Sequence, residues 1–192
     1  MIIRPSVIIR QVTAASTVLT AVFTGVYLLL DGVIWFSLAI TSGTIMYHFA
    51  MRLVVGLSMN KFIMKPIDYD NIWLRPKSFE RNLYKKIRVK NWKNKAPTYR
   101  PDDFSIKARS LEEIIQKMCI AEIGHEIMIV ASYFTFLFAI FTNDWKTFIW
   151  IFIITSSFAA GFDLLFVIVQ RYNRPRLVVL LNRNASLQFN NH

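Results

Sequence analysis

The sequence predicts an all-α, polytopic membrane protein with four transmembrane helices, arranged as two hairpins around a basic amphipathic connector. Three observations lead to this fold class. Hydrophobic residues make up 54% of the 192 residues and phenylalanine alone occurs 16 times, a composition typical of a chain that folds in lipid. Four apolar segments are each near the ~20 residues that a helix needs to cross the hydrocarbon core. Lysine and arginine lie mainly outside those segments.

The apolar segments fall into two pairs. The predicted spans are residues 12–30, 33–55, 118–141 and 147–169 of a single membrane domain, 1–192. Short polar turns, Asp31-Gly32 and Asn143-Asp144, join the two spans of each pair. Helical hairpins suit lipid because every backbone hydrogen bond can be satisfied within the segment. No small-residue cleavage site follows the first segment, so we expect a span there and not a signal peptide.

The basic residues predict the orientation. The connector, residues 56–110, holds 14 Lys/Arg against five Asp/Glu, and the tail, 170–192, adds four arginines. Between the paired spans, the only basic residue is Lys146. Because cytoplasmic loops carry the excess of Lys and Arg, we expect the connector and both termini in the cytoplasm of a multi-pass plasma-membrane protein.

The net charge of +11 leaves two interpretations open. Basic segments beside spans usually contact anionic lipid headgroups, so the bilayer itself is an expected partner. A soluble ligand that carries phosphates is the alternative. Nucleic acid is not an expected partner, because no recognisable binding motif accompanies the charge. Nothing in the sequence indicates an oligomeric state.

Two patterns predict structure between the second and third spans. Residues 78–95 place Phe79, Leu83 and Ile87 at near-helical spacing among many basic residues, as in an amphipathic helix that lies in a headgroup layer. Ser110 and Glu113 fit a capping box, which predicts a helix that begins there and continues to Phe141.

Ionisable residues inside the spans are costly in lipid and therefore point to function. Counting helical turns from the outer ends places the polar residues of three spans at a similar depth, in the cytoplasmic half of the bilayer. The supporting members of this cluster are His48, Arg52, Glu126, Asp163 and Gln170. We predict His125 as a general base and Glu122, one turn earlier, as the carboxylate that orients it. The alternative is an ion-pair network that only holds the helices together.

A metal site is not expected. Residues 125–126 open like an HExxH zinc motif, but position 129 is isoleucine. The Glu-x-x-His of residues 122–125 matches half of a di-iron site, whose second half is absent.

Three segments resemble a known family. They are Val-Lys-Asn-Trp-Lys-Asn-Lys at 89–95, Ala-Glu-Ile-Gly-His at 121–125, and Gln-Arg-Tyr-Asn-Arg-Pro-Arg-Leu at 170–177. They resemble the signature segments of the glycosyl-4,4'-diaponeurosporenoate acyltransferases, small bacterial membrane enzymes of carotenoid biosynthesis. The resemblance covers roughly residues 79–126 and 162–177 and does not extend to the first hairpin.

The resemblance implies transfer of a fatty acyl group to a hydroxyl of a glycosylated lipid or carotenoid. Acyl-CoA or an acyl carrier protein would be the co-substrate, and no other cofactor is expected. The residues expected to bind the donor and its phosphates are Lys90, Trp92, Lys93, Arg171, Asn173, Arg174 and Arg176. Two alternatives remain: another lipid-modifying enzyme, such as a methyltransferase or reductase, and a non-enzymatic transporter or assembly protein.

The topology can be tested by labelling. Single cysteines at Ser78, Asn143 and Ser186 are treated with a membrane-impermeant maleimide on intact cells. We expect reaction at position 143 alone, because the positive-inside rule places the other two in the cytoplasm. Reaction at position 78 or 186, with none at 143, would contradict the predicted orientation.

Overall fold

The computed structural model describes residues 5–62, 66–97, 101–142 and 144–189. Helices account for 84% of these ranges, which contain no strand, so the all-α prediction is confirmed. The α-helices are α1 (Pro5–Leu30), α2 (Val33–Phe62), α3 (Glu80–Lys86), α4 (Val89–Trp92), α5 (Leu111–Ser132) and α6 (Trp145–Phe189). Short 3-10 segments cover Lys93–Lys95 and Pro101–Phe104, and a longer one covers Tyr133–Phe141.

Four helical segments are long and apolar enough to cross a membrane. They are Pro5–Leu30, Val33–Met59, Leu111–Phe141 and Phe148–Asn184. Their outward side chains are strongly apolar: Leu29 is 85% exposed, Val33 81% and Phe158 79%. Such surface is unfavourable in water and favourable against lipid tails. The chain is therefore a membrane protein.

The chain folds into two compact units. The first unit comprises Met1–Ser58 and Ile127–Phe162, and the second comprises Met59–Glu126 and Asp163–His192. In the first unit, α1 and α2 are joined by the turn that the sequence predicts. Gly32 has a φ of 111°, a left-handed conformation that only glycine adopts readily, and the Asp31 carboxylate accepts the Gly32 N–H at 2.7 Å.

Several hydroxyl groups within the first unit are satisfied inside the protein. Ser16, Thr20 and Ser42 donate to carbonyls one turn earlier in their own helices. Tyr47 donates to the Ala131 carbonyl at 2.7 Å, which joins α2 to α5. A hydroxyl that finds no water in lipid needs such a partner, so these bonds suit a membrane helix bundle.

The helix predicted from Ser110 to Phe141 is only partly correct. The α5 helix ends at Ser132, and the chain continues as a 3-10 segment over Tyr133–Phe141. Runs of 3-10 geometry longer than three or four residues are uncommon. Here the Thr135 hydroxyl donates to the Ser132 carbonyl, three residues back, and contacts the Ser156 hydroxyl at 2.6 Å. Both contacts are made by a residue within the more tightly wound 3-10 segment.

The second unit attaches the connector to α5 and α6. The Gln116 side chain binds both backbone groups of Ile67, accepting its N–H at 2.7 Å and donating to its carbonyl at 2.9 Å. Leu74, Ile115 and Cys119 form a buried apolar cluster beside this clamp. The polar connector is thus fixed to the helices by side-chain hydrogen bonds and apolar packing together.

The single amphipathic stretch predicted over residues 78–95 is wrong in detail. Arg88 has a φ of 51°, a left-handed conformation that ends α3 and starts the separate helix α4. Phe79, Leu83 and Ile87 are nevertheless all exposed, as the amphipathic pattern indicated. Their contact with a headgroup layer stays a prediction.

The fourth apolar segment is part of a much longer helix. The 45 residues of α6 continue through the region taken as a tail, and Pro175 lies inside the helix. Its length is about 68 Å at 1.5 Å per residue, roughly twice the hydrocarbon core. Proline supplies no N–H to the helix, so one turn of α6 lacks a backbone hydrogen bond near Arg171.

The predicted capping box at the start of α5 is confirmed. The Ser110 hydroxyl accepts the Glu113 N–H at 3.2 Å, and the Glu113 carboxylate accepts the Ser110 N–H at 3.0 Å. We expect Ser110→Ala to lower the free energy of unfolding in detergent by about 1 kcal/mol, because it removes an N-cap. Ser78→Ala, a loop serine with no described side-chain hydrogen bond, is the control. Equal stability of the two variants would contradict a capping contribution.

Candidate functional site

The candidate site lies in the second unit, where α5 faces α6. His125 of α5 approaches Asp163 of α6, with 3.1 Å between Nδ1 and Oδ1. The Asp163 side chain is 1% exposed and that of His125 is 23% exposed. The imidazole also stacks on Phe166, with 4.7 Å between ring centroids and 12° between planes. An aspartate and an aromatic ring together fix the orientation of a partly accessible histidine.

In this geometry a carboxylate other than the predicted Glu122 contacts His125. The sequence favours Glu122, one turn earlier on the same helix, yet Asp163 from α6 holds the ring. The reason is charge: two arginines engage Glu122 instead. With Nδ1 engaged by a carboxylate, Nε2 is the ring nitrogen that can meet a substrate, as in the base and orienting residue of a catalytic triad.

Glu122 is the centre of a buried ion-pair network. Its side chain is fully buried and accepts hydrogen bonds from Arg171 at 2.7 Å and from Arg174. Arg171 also binds Glu80 of α3 at 2.6 Å, and Arg174 donates to the Leu74 carbonyl. The network therefore joins α5, α6 and the connector. It supports part of the structural alternative considered for the ionisable cluster, an ion-pair network that holds the helices together.

Two predicted donor-binding residues are engaged elsewhere. Arg174 is 2% exposed and is bonded inside the protein, and Arg171 is held by two carboxylates. A guanidinium in such a position already has its counter-charge, so this geometry gives no support to donor-phosphate binding by Arg174 or Arg171, which stays a prediction. The sequence did not reveal these ion pairs, because the spacing of three arginines within six residues does not show which of them face the protein interior.

The other predicted donor-binding residues lie close together. Lys93 donates to the Asn173 amide oxygen at 2.6 Å, and the Trp92 indole donates to the Ile87 carbonyl at 3.0 Å. Lys90 and Arg176 line an open cleft of about 460 Å³ between the α3–α4 region and α6. The remaining charged residues of this basic cleft, Arg81, Lys85 and Arg88, were not singled out from the sequence.

Two side chains beside the basic cleft have shifted pKa values. Burial raises the pKa of the Tyr84 phenol, and its hydrogen bond to Glu80 at 2.9 Å adds to the effect. Burial lowers the pKa of the Lys93 ammonium, and the charge of Arg176 lowers it further. Tyr84 is thus a neutral hydrogen-bond donor here, and positive charge is crowded near Arg176.

The predicted supporting residues are divided between the units. His48 and Arg52 belong to the first unit, where Arg52 donates to the carbonyls of His48 and Ala159 at 2.8 and 3.2 Å. Glu126 belongs to the second unit and accepts the Trp73 indole N–H at 2.7 Å. Gln170 is buried there, on the same face of α6 as Asp163 and Arg174.

In the described part of the chain, no three His, Cys, Asp or Glu side chains are grouped as metal ligands would be. The geometry of the second unit instead offers a histidine oriented by an aspartate, an ion-pair scaffold beside it, and a basic cleft. These are the parts of a site for acid–base chemistry on an anionic substrate.

Comparison with known proteins identifies one family. The sequence model of the glycosyl-4,4'-diaponeurosporenoate acyltransferase family matches residues 70–183, which include His125, Asp163 and the basic cleft. Searches of the curated proteins and of the solved structures gave no match.

The Glu122 network predicts a stability effect. We expect Glu122→Gln to lower the free energy of unfolding by about 3–5 kcal/mol, because it leaves Arg174 buried without its counter-charge. Glu112→Gln, an exposed acid in the first turn of the same helix, should change stability by less than about 0.5 kcal/mol. Thermal unfolding in detergent measures both.

The double variant Glu122→Gln, Arg174→Met should recover part of the loss, since it removes the uncompensated charge as well. Activity per folded molecule should stay close to that of the parent protein in Glu122→Gln. A Glu122→Gln variant that is stable but inactive would reinstate Glu122 as the residue that serves His125.

Proposed function

The chain belongs to the glycosyl-4,4'-diaponeurosporenoate acyltransferase family and is an acyltransferase of carotenoid biosynthesis; from this premise we propose that His125 is its general base and Asp163 the positioning residue. The observation that carries the proposal is the contact between His125 Nδ1 and Asp163, which leaves Nε2 on a partly exposed ring. The substrates proposed are an acyl thioester and a hydroxyl of a glycosylated lipid or carotenoid.

The proposed reaction needs one proton acceptor that later becomes a donor. Nε2 of His125 takes the proton of the acceptor hydroxyl while its oxygen attacks the thioester carbonyl carbon. The C–O bond forms, the C–S bond breaks, and the imidazolium returns the proton to the thiolate, which leaves as a free thiol. Asp163 stabilises the positive charge on the ring during this cycle and keeps Nε2 directed outward.

Membrane location supports the choice of acceptor. The helices that carry the site present apolar side chains outward, as with Val130 at 63% and Leu164 at 47% exposure. A lipid-like acceptor dissolved in the bilayer can approach His125 along such a surface without leaving the membrane. We place the reaction at the cytoplasmic leaflet, because the Lys/Arg asymmetry of the sequence favours a cytoplasmic connector and tail.

The assignment predicts the kinetics of two variants. His125→Ala should lower kcat by about 10²–10⁴-fold, the usual contribution of general-base assistance. Asp163→Asn keeps the shape but removes the charge and should also lower kcat strongly, with little change in the acceptor KM. The double variant should be little worse than His125→Ala alone, because the two residues act as one unit. Transfer of labelled acyl groups to glycoside acceptors in detergent measures all three.

Each variant is compared per folded molecule, by size-exclusion chromatography in detergent. Imidazole added to the assay should restore part of the activity of His125→Ala, since it replaces the missing base, and should not help Asp163→Asn. A folded His125→Ala variant with near-normal turnover would show that His125 is not the base.

A further inference from the structure

The basic cleft is not explained by the chemistry at His125. It is lined by Arg81, Lys85, Arg88, Lys90 and Arg176, and its described lining residues include no carboxylate. The cations come from elements that are far apart in sequence, since Arg176 lies on α6 and the others lie on or beside α3 and α4. Five positive charges around one recess repel one another, and a bound anion would relieve this repulsion.

Backbone geometry brings these charges together. Arg88 adopts a left-handed conformation, with φ of 51°, that residues with a side chain rarely take. It separates α3 from α4, so that residues of both short helices line the same recess. Strained backbone that is retained between two packed elements is a common feature of ligand-binding sites.

An aromatic residue completes the wall of the cleft. The Arg176 guanidinium lies over the Tyr172 ring, with 3.6 Å from Cζ to the ring centroid, and Tyr84 meets Tyr172 edge-on at 5.8 Å. A guanidinium plane next to a tyrosine is a surface on which a nucleobase can stack. The cleft volume of about 460 Å³ is within the range of pockets that bind small molecules.

We infer that this cleft binds the phosphorylated nucleotide of coenzyme A, so that acyl-CoA is the acyl donor of the reaction proposed above. The 3'-phosphate and the pyrophosphate match the convergent cations, and the adenine matches the Arg176–Tyr172 pair. An acyl carrier protein would present its carboxylates on a convex folded surface and would require a protruding basic face. A recess walled on two sides suits the smaller ligand.

The distance to the proposed base agrees with this donor. Arg176 and Asp163 are 13 residues apart on α6, about 20 Å along the helix axis. The pantetheine arm of coenzyme A is a linear chain that can span such a distance. The nucleotide can therefore stay in the basic cleft while the thioester reaches His125. This step depends on the proposed role of His125, whereas nucleotide binding does not.

Binding is tested on the full-length protein in zwitterionic nanodiscs, by calorimetric titration with free coenzyme A. We expect Lys85→Ala and Arg176→Ala each to weaken binding about tenfold, because each loses a charge-assisted contact to phosphate. Lys86→Ala is the matched control, because Lys86 is exposed on the same helix as Lys85 but does not line the cleft. The affinity of this variant for coenzyme A should be unchanged. These surface changes leave the buried core intact.

Donor analogues identify the part of the ligand that is recognised. Dephospho-coenzyme A, which lacks the 3'-phosphate, should bind the parent protein more weakly than coenzyme A, and pantetheine should not bind measurably. The difference in affinity between coenzyme A and its dephospho form should be smaller in the variant that lacks the side chain contacting that phosphate. Equal binding of all three compounds would overturn the inference.

Two other occupants are tested directly. Competition by short-chain phosphatidylglycerol as strong as that by coenzyme A would assign the cleft to an anionic lipid headgroup. Acyl transfer from acyl carrier protein but not from acyl-CoA, with Lys85→Ala unaffected, would overturn the choice of donor. No transfer from either donor, with coenzyme A still bound, would contradict the function proposed for His125 and leave the cleft assignment standing.

Discussion

The arrangement of the second unit depends on one buried carboxylate. Glu122 has no exposed surface, and it accepts hydrogen bonds from Arg171 and Arg174 of the facing helix. Moving a carboxylate out of water costs several kcal/mol, and only charged partners with good geometry offset that cost. The pairing therefore permits few alternatives, and it determines which residues of α5 and α6 lie opposite each other.

The site geometry follows from this register. His125 is one turn beyond Glu122 on α5, and Asp163 is about two turns before Arg171 on α6. Once Glu122 and Arg171 are paired, the next turn of α5 lies beside the preceding turns of α6, where His125 contacts Asp163 and Phe166. Glu80 extends the same network to α3, so the wall of the basic cleft is positioned by the same charges. A buried ion pair can thus position the residues for which we propose a chemical role.

Much of this protein could be predicted from local sequence. Helix class, the Asp31-Gly32 turn and the capping box at Ser110 depend on neighbouring residues, and all three are found. The family could also be identified, because its segments are short and contiguous. Those predictions need no knowledge of which helices touch.

Partner choice could not be predicted in the same way. Glu122 is one turn from His125 in sequence, but it forms ion pairs with two arginines of α6. The carboxylate that contacts His125 is Asp163. The basic cleft was missed because a left-handed residue, Arg88, interrupts what the amphipathic pattern presents as one helix. Both results depend on contacts between segments far apart in the chain, which periodicity does not reveal.

Because α6 is continuous, it fixes the distance between the residues that it carries. One uninterrupted element carries Asp163 and Arg176, so their separation and relative direction are set by helix geometry. Each residue inserted between them would add about 1.5 Å and rotate one end by about 100° relative to the other. A single insertion would turn Arg176 away from its present face, whereas four would nearly restore the direction and lengthen the span by about 6 Å. Relatives of this protein are thus expected to tolerate length changes in their loops more readily than in this stretch of helix.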